Sequence, residues 1–253
     1  MIICSFTPEI QDTLLLLLAG HVLADFVFQT RAMVEGKKES SATLWLHGLE
    51  VYLVQALPLL FFQFASGSAL LVILVITCLH VLTDWLKVVV ERKWGPRLVW
   101  FFLDQGFHVL AIAGTLWAWH SCCSLDGMGP IQLSDGWLQV GCALAISYGF
   151  AVHGGNAIVS ALLLSLRNKA QNPMPASVHV GAGTMIGILE RLIIVTLVWQ
   201  GEWGAMGFVL AGKSIARYKE LEEKSFAEIY LVGTLTSFLV AGALGGFLQW
   251  MVP

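Results

Sequence analysis

Apolar runs of about twenty residues recur along the whole chain, and nothing in the sequence constrains the fold more. A run of that length crosses a bilayer core of about 30 Å as a helix. The runs do not alternate polar and apolar residues as barrel strands would. In lipid every backbone N–H and C=O must be satisfied within the segment, so helices are the form these runs can take. Charge agrees: 12% of the residues are Asp, Glu, Lys or Arg, about half the share of a soluble domain. The chain therefore reads as an all-α, polytopic transmembrane helical bundle.

Spans are expected at 12–31, 42–62, 69–90, 98–119, 138–165, 179–200, 204–217 and 229–250, about eight in all. Alternate connections then hold "RAMVEGKKESS", "ERKWGPR", "RNKAQNPMPAS" and "ARYKELEEKS", and nearly all Lys and Arg lie in or beside them. Both termini and the remaining loops hold none, and only Arg191 sits deep within a span. Basic loops stay in the cytoplasm, so this distribution predicts that the N-terminus and C-terminus are outside. The N-terminus lacks a basic stretch and carries Glu9 and Asp12, which argues against a cleaved signal peptide. The longest outward loop, 120–137, divides a four-helix bundle over 1–120 from four further helices over 121–253, expected to pack against it.

Within these oily runs lie costly residues. "HVLAD" places His21 four residues before Asp25, "HVLTD" places His80 before Asp84, and "DQGFH" places Asp104 before His108. Residues at i and i+4 share a helix face. Each ionisable group at membrane depth costs about 2.5–3.5 kcal/mol on insertion scales, so three such pairs call for a function. Spans one and three run toward the cytoplasm and span four runs away, so the reversed order in the third pair preserves depth. Counting from Arg31, Arg92 and Arg97 at about 1.5 Å per residue, the aspartates lie roughly 9–12 Å inside and the histidines roughly 15–18 Å inside. His47 joins near the aspartate level, at the rim of the expected cavity. Read alone, Gln29, Glu50 and Lys87 are snorkelling or capping groups beside these layers.

Imidazole nitrogens and carboxylate oxygens suit a divalent metal, zinc first and iron or manganese next. The expected metal set is His21, His47, His80, His108, Asp25, Asp84 and Asp104. The three aspartates complete coordination, orient the histidines or act as general base. A metal-bound water becomes a nucleophile near neutral pH, and the cluster's depth matches acyl chains and headgroups. Metal-dependent hydrolysis of a membrane lipid or lipid-linked substrate is the function so implied. A proton- or cation-coupled transporter, or a non-catalytic effector or anchor acting through a membrane partner or a second copy, would use the same residue types. The sequence shows no Gly-rich phosphate loop, GxSxG, HExxH or CxxC, and no basic domain suited to nucleic acid.

In the second half "GILERLII" buries Glu190 beside Arg191. Sequence neighbours point apart on a helix, so each needs its own partner, with Lys213, Arg217 and Glu228 as candidates. A structural network holding the last three spans is the expectation. His153 and His179 are singletons read as structural, and Cys122 and Cys123 lie in an outward loop.

The motifs HxLADFxxQ, a lone histidine, HxxxDWxK and DQxxH, in that order over residues 12–112, resemble the domain of unknown function 3307 family. That resemblance implies a multi-pass protein of the bacterial inner membrane and singles out His21, Asp25, Gln29, His47, His80, Asp84, Asp104 and His108 as a polar set. It implies no reaction.

Overall fold

The computed structural model describes residues 8–61, 67–122, 136–170 and 180–252, and every element among them is helical. Cys123, Gly127 and His179 lie outside the described residues. Six helices are long and apolar enough to cross a membrane: Gln11–Phe28, Ser41–Phe61, Gly67–Trp94, Leu98–Ser121, Gly136–Ser165 and Lys224–Met251. Large apolar side chains such as Phe61, Leu110, Phe208 and Leu239 are exposed, while His47, His108, Asp84 and Arg191 are buried. Outward oil and inward polarity suit a lipid solvent.

The described residues divide into two compact units, Met1–Ile146 and Ser147–Pro253. The first opens with α1 (Pro8–Val22), whose last turns widen into a π-helical stretch, Leu23–Phe28. The chain turns at Gln29 and Thr30, and the Thr30 hydroxyl accepts the backbone N–H of Met33 to start α2 (Arg31–Glu39). The segment expected as a plain loop is therefore a short helix. It is charged on one face and packs on α3 (Ser41–Phe61), with Gly36 close against Thr43. Two long helices, α4 (Gly67–Trp94) and α5 (Leu98–Cys122), complete the bundle. Helix α3 packs on α1 and α4, and α5 packs on α4 and α1, so the four long elements enclose a common interior. A Cβ on Gly48 would meet Val81 Cγ2 at 2.5 Å. Glycine there lets α3 approach α4 beside His47.

The fifth apolar span begins as α6 (Gly136–Gly149), widens into a second π-helical stretch (Phe150–Gly154) and continues as α7 (Gly155–Ala170). In the second unit α7 and α8 (Val180–Trp199) pack on α10 (Lys224–Met251), and α9 (Ala205–Ala216) packs on α8. The close crossing of α8 and α10 depends on Gly245, where a Cβ would fall 2.6 Å from Val198 Cβ and 2.9 Å from the Val195 carbonyl. Helix α8 has 20 residues, long enough at about 1.5 Å each to cross the core. Helix α9 has 12, about 18 Å, and is shorter than a bilayer core.

Arg191 is buried, and among the described residues its hydrogen-bond partners are carbonyls and a hydroxyl. Its Nε donates to the Ala151 carbonyl at 2.5 Å, its guanidinium reaches the Val152 carbonyl at 3.3 Å, and Nη1 lies 3.2 Å from Ser237 Oγ. A wide π turn loosens the regular backbone ladder and leaves carbonyls to be satisfied. Arg191 satisfies two of them. A Cβ on Gly155 would stand 2.7 Å from Arg191 Nε, so glycine admits the side chain. Glu190 finds the expected Lys213, with Nζ to Oε2 at 2.6 Å. Of the expected partners Lys213 reaches Glu190, whereas backbone carbonyls, which leave no mark in the sequence, and Ser237 hold Arg191.

Candidate metal centre

Four elements deliver the seven His and Asp side chains to one place. The end of α1 and its π-helical stretch bring His21 and Asp25, α3 brings His47, α4 brings His80 and Asp84, and α5 brings Asp104 and His108. Their side chains are 0–8% exposed. His47 Nε2 lies 3.1 Å from Asp25 Oδ1 and 3.2 Å from His80 Nε2, and His80 Nε2 lies 3.2 Å from Asp25 Oδ1. Asp84 Oδ2 is 3.7 Å from both of those Nε2 atoms. On the other side of Asp84, Oδ1 lies 3.6 Å from His108 Nε2, which is 3.4 Å from Asp104 Oδ1. His21 is the outlying member, its Nδ1 3.9 Å from Asp25 Oδ2. The rings of His80 and His108 stack with centroids 4.0 Å apart.

One expectation about position is corrected. His47 is fully buried at the centre of the cluster, not on its rim. Helix α2 folds back over this end of the bundle and sends Lys37 into it, with Nζ 2.5 Å from Asp84 Oδ2. The level counted as the bundle's edge is therefore interior.

The outer nitrogens of three histidines are held by oxygens. His47 Nδ1 lies 3.0 Å from Glu50 Oε2; a carboxylate only accepts, so Nδ1 carries the proton. Gln29 Nε2 lies 3.2 Å from each nitrogen of the same ring. Thr83 donates its hydroxyl to the His80 carbonyl at 2.8 Å, so it accepts from His108 Nδ1 at 2.9 Å. His21 Nε2 donates to Gln105 Oε1 at 3.3 Å, and Gln105 Nε2 donates to Asp104 Oδ2 at 3.1 Å, which fixes the amide's orientation. In His21 and His108 the remaining nitrogen offers a lone pair to the interior, and in His47 it also faces the Gln29 amide. Metal-ligating histidines are oriented in this way.

Some of those lone pairs have no hydrogen-bond partner. His21 Nδ1, His108 Nε2 and Asp104 Oδ1 are all buried and unsatisfied. An orphaned buried polar atom costs about 1–3 kcal/mol, more when charged, so His108 Nε2 and Asp104 Oδ1, 3.4 Å apart, favour a cation beside them. Three overlapping sets have ligand atoms within 4.8 Å of one another: His21, Asp25 and His80; His47, His80 and Asp84; and Asp84, Asp104 and His108. The donors are nitrogens and oxygens without a thiolate, which fits zinc, iron or manganese.

The flanking polar residues are tied to the cluster. Lys87 Nζ lies 2.8 Å from Asp104 Oδ2, and Glu50 and Gln29 both reach His47. Read as snorkelling or capping groups, they are in fact second partners of the cluster's own side chains. Lys37, Thr83 and Gln105 escaped sequence reasoning altogether. Thr83 and Gln105 sit inside the quoted motifs, beside Asp84 and Asp104. Lys37 carried no signal, because its role depends on α2 docking.

No curated protein and no solved structure matches the chain. Residues 13–126 match the model of the family described as a protein of unknown function, DUF3307. That stretch holds every residue of the centre, and the family is the one that the motifs resembled.

Proposed function

We propose that the protein is a metal-dependent hydrolase of the bacterial inner membrane that acts on a lipid or lipid-linked substrate. The observation that carries this reading is that His21 Nδ1, His108 Nε2 and Asp104 Oδ1 are buried without hydrogen-bond partners in a cluster where the outer nitrogens of His21, His47 and His108 are already held. A purely structural polar cluster would satisfy its own atoms. The metal is zinc, with iron or manganese as substitutes, held by His47, His80 and His108 with Asp25, Asp84 and Asp104, and with His21 beside Asp25. Bound there, a divalent ion lowers the pKa of a water and polarises an ester or phosphoryl oxygen. Lys87 and Glu50 are the partly exposed members, 28% and 20%, and mark the side from which water and substrate approach.

The basic connections face the cytoplasm, which sets the centre near the cytoplasmic leaflet, where lipid headgroups are within reach. The same distribution of Lys and Arg sets both termini outward. Metal analysis of detergent-purified protein tests the reading, beside His80→Ala, since His80 belongs to two of the three ligand sets. The wild type should hold a divalent metal, lose it in the variant, and release water-soluble product from phospholipid or acyl-ester micelles. Metal-free protein that carries protons or cations across proteoliposomes would replace the hydrolase with a transporter.

A further inference from the structure

The carboxylates of Asp25 and Asp84 each turn one oxygen to either side of the cluster. Toward one side, Asp25 Oδ1 faces His47 Nε2 and His80 Nε2 at 3.1 and 3.2 Å, and Asp84 Oδ2 faces the same two atoms at 3.7 Å. Those two nitrogens are 3.2 Å apart. Four donors arranged tetrahedrally about 2.1 Å from an ion stand about 3.4 Å from one another, and these five separations bracket that value. Toward the other side, Asp84 Oδ1 lies 3.6 Å from His108 Nε2, Asp25 Oδ2 lies 4.0 Å from it, and Asp104 Oδ1 lies 3.4 Å from it.

We infer that the centre holds two divalent cations bridged by Asp25 and Asp84. One ion is bound by His47 and His80, and the other by His108 and Asp104. This rests on the metal reading above and goes beyond it in number and connection. At the second position His108 Nε2 and Asp104 Oδ1 are buried without hydrogen-bond partners and lie 3.4 Å apart. The outer oxygen of Asp104 accepts from Lys87 and Gln105, and its inner oxygen has no hydrogen-bond partner. Paired ions about 3.5–4 Å apart stabilise both the attacking and the leaving oxygen of an in-line displacement. A bridged pair therefore points to a phosphoester within the lipid-linked class.

The test uses full-length protein in detergent, stripped with chelator and titrated with Mn2+. The expected result is two equivalents bound and an exchange-coupled, multiline electron paramagnetic resonance spectrum. Asp104→Asn should bind one equivalent and show the six-line spectrum of an isolated ion. A wild type that binds a single Mn2+ with six lines overturns the two-ion inference and leaves a metal centre standing. Two equivalents without exchange coupling overturn the carboxylate bridge. Binding of neither Mn2+ nor Zn2+ overturns the metal reading itself. The wild-type titration decides these outcomes even if the variant fails to fold.

Discussion

Single side chains in this protein are understood through what holds their far ends. Thr83 shows this best. Its hydroxyl is committed as a donor to the α4 backbone, which forces it to accept from His108 Nδ1 and leaves Nε2 to face Asp84 and Asp104. Thr83→Val keeps the shape and removes the acceptor, so Mn2+ affinity should fall about 10–100-fold, with Thr83→Ser restoring it. Calorimetric titration of the purified variants reads this directly. Unchanged affinity in the valine variant would mean that His108 is not oriented through Thr83. Lys37 and Lys87 belong to the same scale: each places an ammonium on a carboxylate oxygen at 2.5 and 2.8 Å and thereby fixes the aspartate's rotation.

At the scale of elements, close helix approach decides whether these side chains meet. Helix α3 supplies His47 only because Gly48 allows it to lie against Val81 of α4. Gly48→Ala should cost about 1–3 kcal/mol through overpacking and should also weaken metal binding, because His47 and His80 are drawn apart. Thermal unfolding in detergent, with and without Mn2+, measures both effects. A variant with wild-type melting and wild-type affinity would contradict the packing described. The two π-helical stretches matter at this scale too. The first carries Asp25, and the second presents the carbonyls that Arg191 binds. Neither is announced by proline, and the regular i,i+4 reading of the His21–Asp25 pair yields only a 3.9 Å contact where the helix has widened.

For the whole molecule, every residue of the candidate metal centre lies in Met1–Ile146, and Ala151, Val152 and Ser237, which hold Arg191, lie in Ser147–Pro253. Arg191→Leu strips two buried carbonyls of their donors, at about 1–3 kcal/mol for each group left unsatisfied. Its melting temperature should fall while metal bound per folded chain stays at the wild-type value. Loss of metal at normal stability would show that the two units are coupled in function. Orientation in the membrane is checked by labelling single cysteines in intact cells: a cysteine at Gly127 should react, and one at Lys38 should react only after permeabilisation. Lys38 is the better reporter than its neighbour, since its side chain is 51% exposed and that of Lys37 is 8% exposed. Reaction at Lys38 from outside would invert the protein and move the centre to the opposite leaflet.

Run length and residue spacing set the class of fold and which His and Asp side chains share a helix face. Apolar run length sets helices because lipid offers no partner to an open backbone, and i,i+4 spacing sets which His and Asp share a face; both are local and periodic. His21, Asp25, His80, Asp84, Asp104 and His108 were legible for that reason. Tertiary structure alone decided that His47 stands at the centre, that Lys37 reaches Asp84 from a docked α2, and that Arg191 is held by carbonyls of a widened turn. It also decided that Asp25 and Asp84 face both ways. Those features depend on how separate helices rotate and approach one another, and rotation between helices leaves no period in the chain.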